Sequence, residues 1–322
     1  MGINEANRIK FFDCSRALCM IYIIGIWHMQ EYLTGNISIV SEWTSSITNG
    51  VLAAFTFISA YFLGKREVNS VSDAFKFYKK RLVRIYPLFF LSCTTLLVVH
   101  FLWGINYVNG VSQYILTLCG LSCIFTPAPQ TIWYISMLIL FYLLTPAINS
   151  FKKVLPKSFF CLALFAVFLL LKLFVIDIDN RLLLMFPMYC IGLIIAPIVK
   201  LTDNLSLLRL FVSSGAFLLL VFIKININFY VIDYFIIGAF TMLCLEIGKL
   251  CAKSKILFCI LNFISYGSMV AYLFHRQFFG AVFKITGDFP IWFAYLIALP
   301  ALIAISYFVQ YLYDRLFIKR MP

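Results

Sequence analysis

The chain has 322 residues, 63% of them apolar and 12% charged, and its mean hydropathy of +0.97 excludes an ordinary water-soluble domain. A formal net charge of +13 would suggest nucleic acid in a soluble protein. Here the lysines and arginines collect between apolar runs, where they set topology and meet anionic headgroups, so membrane lipids are the expected partner and nucleic acid is not.

A bilayer core of roughly 30 Å takes about 20 apolar residues at about 1.5 Å each. Such runs follow one another at residues 14–33, 47–63, 83–103, 131–149, 158–176, 182–199, 207–224, 229–248, 257–283 and 290–317. The first has no small-residue cleavage site and is expected to stay as a span. A further run, 111–125, is ambiguous. If it crossed fully, the basic segment from Phe151 to Lys157 would face outside, against the positive-inside bias, so it is expected to be re-entrant or interfacial. The predicted fold is therefore all-α: a polytopic integral membrane protein of about ten transmembrane helices in one domain over 1–322, with both termini cytoplasmic. Lys65 to Arg84, Lys152 to Lys157, Arg209 and Lys249 to Lys255 then fall inside, while Arg181 and Lys224 are exceptions expected to snorkel to the outer interface. The ten cysteines are scattered through apolar segments with no CxxC pair or Cys/His cluster, so they read as small hydrophobes and no metal is expected.

Ionisable groups deep in apolar helices default to a functional hypothesis. His28 lies twelve residues after Arg16 on the first span, about 18 Å along a helix, so Arg16 sits near the cytoplasmic face and His28 toward the outer half. An imidazole so placed suits a general base for an incoming hydroxyl; the alternative is a structural histidine bonded to a neighbouring carbonyl or hydroxyl. On a later span Ser268, Tyr272 and His275 recur at helical spacing and form one polar stripe, with inter-helix bonding as the favoured role and catalysis as the other. His100, at the end of the third run, reads as interfacial. The densest basic stretch ends in Lys80, Arg81 and Arg84. Arg81 and Arg84, at i and i+3, share a helix face where guanidinium forks can grip the phosphates of a cytosolic polyphosphate, unless the stretch serves only lipid binding and topology.

Asp13-Cys14-Ser15-Arg16 through His28, Thr56-Phe57-Ile58-Ser59-Ala60-Tyr61-Phe62-Leu63 and Lys80-Arg81-Leu82-Val83-Arg84-Ile85-Tyr86-Pro87 resemble, in that order, the membrane acyltransferase-3 family. Trp133-Tyr134-Ile135-Ser136, Phe186-Pro187, and Ser268 with Tyr272 and His275 look like its later landmarks, so the resemblance covers nearly the whole chain. It implies an O-acyltransferase of the surface-polysaccharide O-acetyltransferase type, moving acetyl from cytosolic acetyl-CoA to a hydroxyl of a cell-surface or lipid-linked glycan. The expected location is the bacterial cytoplasmic membrane. By the resemblance Arg16 and His28 are the essential pair, Arg81, Arg84 and Lys80 hold the donor, and His275 contributes. Ser59, Tyr61, Tyr134 and Ser136 are candidates for lining or oxyanion contacts, beside Ser268 and Tyr272. Two positions depart from the family pattern. Ala60 stands where glycine is common, and eleven residues rather than ten separate Arg16 from His28. One extra residue swings His28 by about 100°, and a π-bulge near Gly25 is predicted to restore it.

The rival reading is a transporter or flippase for a glycan or glycolipid precursor, since many transporters have about ten spans with buried polar residues. Repeat symmetry between two halves would favour it, and none is visible.

Overall fold

The computed structural model describes residues 9–33, 40–103, 111–125, 128–227, 229–287 and 289–318. Both chain ends and the side chain of His100 lie outside the described residues. Every regular element among them is helical. In chain order they are α1 (Lys10–Tyr22), α2 (Glu42–Gly64), α3 (Val71–Trp103), α4 (Val111–Leu118), α5 (Trp133–Asn149), α6 (Val154–Phe174), α7 (Asn180–Ile195), α8 (Leu207–Ile227), α9 (Val231–Lys253) and α10 (Lys255–Thr286). The last, α11 (Ile291–Ile318), is interrupted by π-helical turns.

Seven of these are long and apolar enough to cross a membrane: α2, Val71–Val99 of α3, α6, α8, α9, α10 and α11. Only 17% of the most apolar stretch of α6, and the same share of α8, is buried. Helices this apolar on their exposed faces need lipid rather than water around them. The other three expected spans fall on α1 with its continuation, on α5 (17 residues) and on α7 (16 residues). α4 has eight residues, about 12 Å of helix. It ends at Leu118, and Gly120 just beyond takes a φ of 75° that no helix continues through, so the run from Val111 to Phe125 does not form a spanning helix.

The chain packs as two units, residues 1–58 with 200–312 and residues 59–199 with 313–322. In the first, α1 lies against α9 and α10, and α8 against α9. A Cβ on Gly248 would stand 2.1 Å from Ser15 Oγ and 2.6 Å from the Phe11 carbonyl, so α1 and α9 approach at a separation only glycine allows. Ser15 Oγ donates to the Cys244 carbonyl at 3.1 Å. The buried Glu246 carboxylate accepts from Arg209 Nε and Lys249 Nζ, each at 2.8 Å. Lys224 does not merely snorkel: its ammonium lies 2.7 Å from Asp233 and 3.3 Å from Glu42, so two carboxylates hold it where the topology alone gives no reason for a cation.

In the second unit a buried lysine and an asparagine together satisfy carbonyls at the ends of α2 and α7. Lys157 Nζ donates to Asn149 Oδ1 (2.9 Å) and to the Leu193 carbonyl (3.0 Å), while Asn149 Nδ2 donates to the carbonyls of Leu63 and Arg66. A cation at carbonyl termini satisfies orphaned acceptors and suits the helix dipoles. Arg181, the other exception, forks onto the Asp179 carboxylate and lies 4.0 Å from the centre of the Trp133 ring. Pairing and stacking therefore account for its position.

Candidate functional site

The first helix does not run straight to His28. After Tyr22 it widens into a π-helix over Ile23–His28 and then tightens into a 3-10 turn at Met29–Glu31. The bulge expected near Gly25 is thus present, and His28 is its last residue. A π turn takes up one extra residue, so it re-aims every side chain beyond it.

What His28 is aimed at is His275. The two rings are buried, and His28 Nδ1 lies 2.7 Å from His275 Nε2. His275 Nδ1 lies in turn 2.8 Å from the Tyr272 carbonyl, one turn back on α10. A carbonyl only accepts, so Nδ1 of His275 carries the hydrogen. Between neutral rings its Nε2 is then the acceptor, and His28 Nδ1 must donate. The chain of bonds leaves Nε2 of His28 as the nitrogen without a hydrogen. One backbone carbonyl therefore fixes which atom of His28 is basic.

Arg16 stands earlier on α1, half-exposed, with Nη2 2.5 Å from Asp13 Oδ1. Ser265 Oγ donates to the same carboxylate oxygen at 3.4 Å. Arg16 Nε is buried with no hydrogen-bond partner among the described residues. Of the stripe predicted on α10, Ser268 and Tyr272 are both buried, and the Tyr272 ring lies 5.9 Å from that of His275.

The remaining candidates belong to the second unit. Arg81 lies in α3, with its guanidinium 5.9 Å from the centre of the Phe77 ring and 6.0 Å from that of Tyr142. It lines a cleft with Tyr78, Ile85, Tyr86, Ile139 and Tyr142. Its Nε is buried and has no hydrogen-bond partner among the described residues. Lys80 and Arg84 are exposed. Although Arg81 and Arg84 are spaced to share a face, they differ in setting: Arg81 is set among rings, and Arg84 is solvent-accessible. Tyr61 is buried and its hydroxyl donates to the Val199 carbonyl at 2.8 Å, while Ser59 is half-buried. Ser136 accepts from Ser122 Oγ at 2.8 Å, and Tyr134 is buried beside the Trp133 ring.

The structure thus brings His28, His275 and Tyr272 together, and adds residues that the sequence did not single out. Arg276, next to His275 and buried, forks onto Glu31 with bonds of 2.6 and 3.0 Å. The pair spans 245 positions of sequence. The only signal for it was one charge near the end of the first apolar run and one inside the ninth. The direct contact of His28 with His275 was equally unannounced.

A family model described as an acyltransferase domain, that of the acyltransferase-3 family, matches residues 9–311. Comparison with curated proteins and with solved structures finds no match. The match takes in the interrupted first helix with His28, α3 with Arg81 and Arg84, and α10 with His275, and on that extent the chain belongs to the acyltransferase-3 family.

Proposed function

We propose that this membrane acyltransferase moves an acetyl group from cytosolic acetyl-CoA to a hydroxyl of a cell-surface or lipid-linked glycan, with His28 as general base. The observation that carries the reading is the bond chain from the Tyr272 carbonyl through His275 to His28. Nε2 of His28 takes the proton of the acceptor hydroxyl as that oxygen attacks the thioester carbonyl. The C–S bond then breaks, and the thiolate of CoA leaves with a proton returned from the imidazolium. His275 acts through His28, as the group that holds its tautomer and angle.

The donor's phosphates are assigned to Arg81, Arg84 and Lys80. Arg81 offers an unmated N–H among aromatic rings, a setting in which charge-assisted bonds to phosphate are strong. Arg16, steadied by Asp13, is assigned the cytoplasmic approach to His28. Ser59, Tyr61, Tyr134, Ser136 and Ser268 remain lining candidates. In Tyr61 the hydroxyl is tied to a carbonyl, which leaves only its ring for that role. The arrangement proposed for the whole chain is ten spans with both termini in the cytoplasm of a bacterial inner membrane.

The test is to express wild type and His28→Ala in a bacterial host and weigh the envelope glycans by mass spectrometry. Acetyl increments with wild type that vanish with His28→Ala are expected. Increments that persist in His28→Ala would remove the histidine from the chemistry, and glycans that are never acetylated by folded wild type would remove the acceptor class.

A further inference from the structure

The π-helical turn that delivers His28 is held from outside its own helix. Tyr295 on α11 donates its hydroxyl hydrogen to the Gly25 carbonyl at 2.8 Å, across 270 positions of sequence. Tyr295 itself sits in a second π-helical turn, Ala294–Ala298. Pro300 follows two residues later, and its missing N–H and bulky ring discourage a regular α turn just before it. Two irregular turns therefore face each other, one ending in His28 and the other presenting Tyr295. The approach is close at Gly25, where a Cβ would lie 3.1 Å from Leu299 Cδ2, the end of a flexible side chain.

A π turn is rarely the preferred state of an isolated helix. If residues 23–28 relaxed to α geometry, the side chains beyond would rotate by about 100°, and His28 would swing off His275. Past the turn, Arg276 clamps Glu31 through two bonds, which anchors the far end but not the turn itself. The bond from Tyr295 falls on the turn itself, at the Gly25 carbonyl.

We infer that Tyr295 is a positioning residue for His28, acting through the Gly25 carbonyl to hold the π turn that joins His28 to His275. The inference deepens the proposed function, since the importance of the geometry rests on His28 being the base. Its structural content stands apart from that reading, so its test does not need an acceptor.

The experiment uses the full chain, labelled with 15N-histidine and reconstituted in nanodiscs, and compares the imidazole nitrogen resonances of wild type and Tyr295→Phe. Wild type is expected to show an N–H···N signature coupling the two rings. Tyr295→Phe keeps the ring and deletes only the hydroxyl; it is expected to lose or weaken that signature in most molecules while acetyl-CoA binding stays within about twofold. Once an acceptor is in hand, kcat is expected to fall by about tenfold, the loss of one hydrogen bond, with KM for the donor unchanged. Combined with His275→Ala, the two losses should not multiply, because both act on one orientation. A Tyr295→Phe protein with the wild-type ring signature overturns the inference, whatever its activity. If wild type and Tyr295→Phe differ as expected but wild type transfers no acyl group, the positioning stands and the proposed function falls. Should Tyr295→Phe not fold, Tyr295→Met likewise removes the hydroxyl that donates to the Gly25 carbonyl. It must then disturb the same pair of resonances, and undisturbed resonances would equally overturn the inference.

Discussion

The chemistry proposed for His28 depends on a hydrogen inventory rather than on the residue alone. The Tyr272 carbonyl accepts from His275 at 2.8 Å, and His275 accepts from His28 at 2.7 Å, so the basic nitrogen is named by a backbone atom. His28→Ala is expected to cut transfer by about 10²- to 10⁴-fold, the usual worth of a positioned base. His275→Ala should cost less, because the base survives with its orientation loosened. Steady-state rates on a synthetic acceptor measure both, and equal losses would make His275 a partner in the proton transfer rather than a support. The sequence located both histidines but not their meeting, because a contact spanning 247 positions leaves no mark in local periodicity. The family resemblance did, however, point to the bulge, because its pattern has one residue fewer between Arg16 and His28. A one-residue surplus in a helix must be absorbed somewhere, and Gly25 is the residue in that stretch best able to yield.

Among the elements, the junctions that matter are those where backbones nearly touch or a buried cation ties carbonyls together. Gly248→Ala puts a methyl group against the Phe11 carbonyl and Ser15 Oγ. Backbone cannot retreat as a flexible side chain can, so α1 and α9 must separate. A drop in thermal midpoint of several degrees is expected in detergent, and an unchanged midpoint would contradict so close an approach. Lys157→Ala leaves Asn149 Oδ1 and the Leu193 carbonyl without their donor, at a cost of about 1–3 kcal/mol, and should be visible in the same melt. Lys157→Arg cannot reproduce a compact ammonium between two carbonyl-type oxygens and should not restore stability. The elements themselves were largely legible, because apolar length is a strong signal. Seven expected spans coincide with helices long enough to cross, and the eight-residue α4 explains why Val111 to Phe125 read ambiguously. The cations Lys224 and Arg181 were misfits in the sequence because their carboxylate partners, Asp233, Glu42 and Asp179, count for little in a rule that weighs only positive charge.

For the whole molecule, the balance of charge between loops sets the expected orientation. A fluorescent protein fused after Pro322 should fold and fluoresce, whereas a periplasmic phosphatase fused there should be inactive; the reverse pair of results would invert the topology and the side from which the donor arrives. The family match over residues 9–311 makes the chain a membrane acyltransferase, and the donor is the claim on which the remaining chemistry depends. Titrating acetyl-CoA into the protein in nanodiscs, with wild type, Arg81→Ala and His28→Ala side by side, tests it without knowing the acceptor. Saturable binding is expected for wild type, weakened by about tenfold or more in Arg81→Ala through the loss of a charge-assisted contact, and retained in His28→Ala. Folded wild type that binds no acetyl-CoA would contradict the donor assignment outright, and His28→Ala that binds none would place the histidine in donor recognition rather than in catalysis.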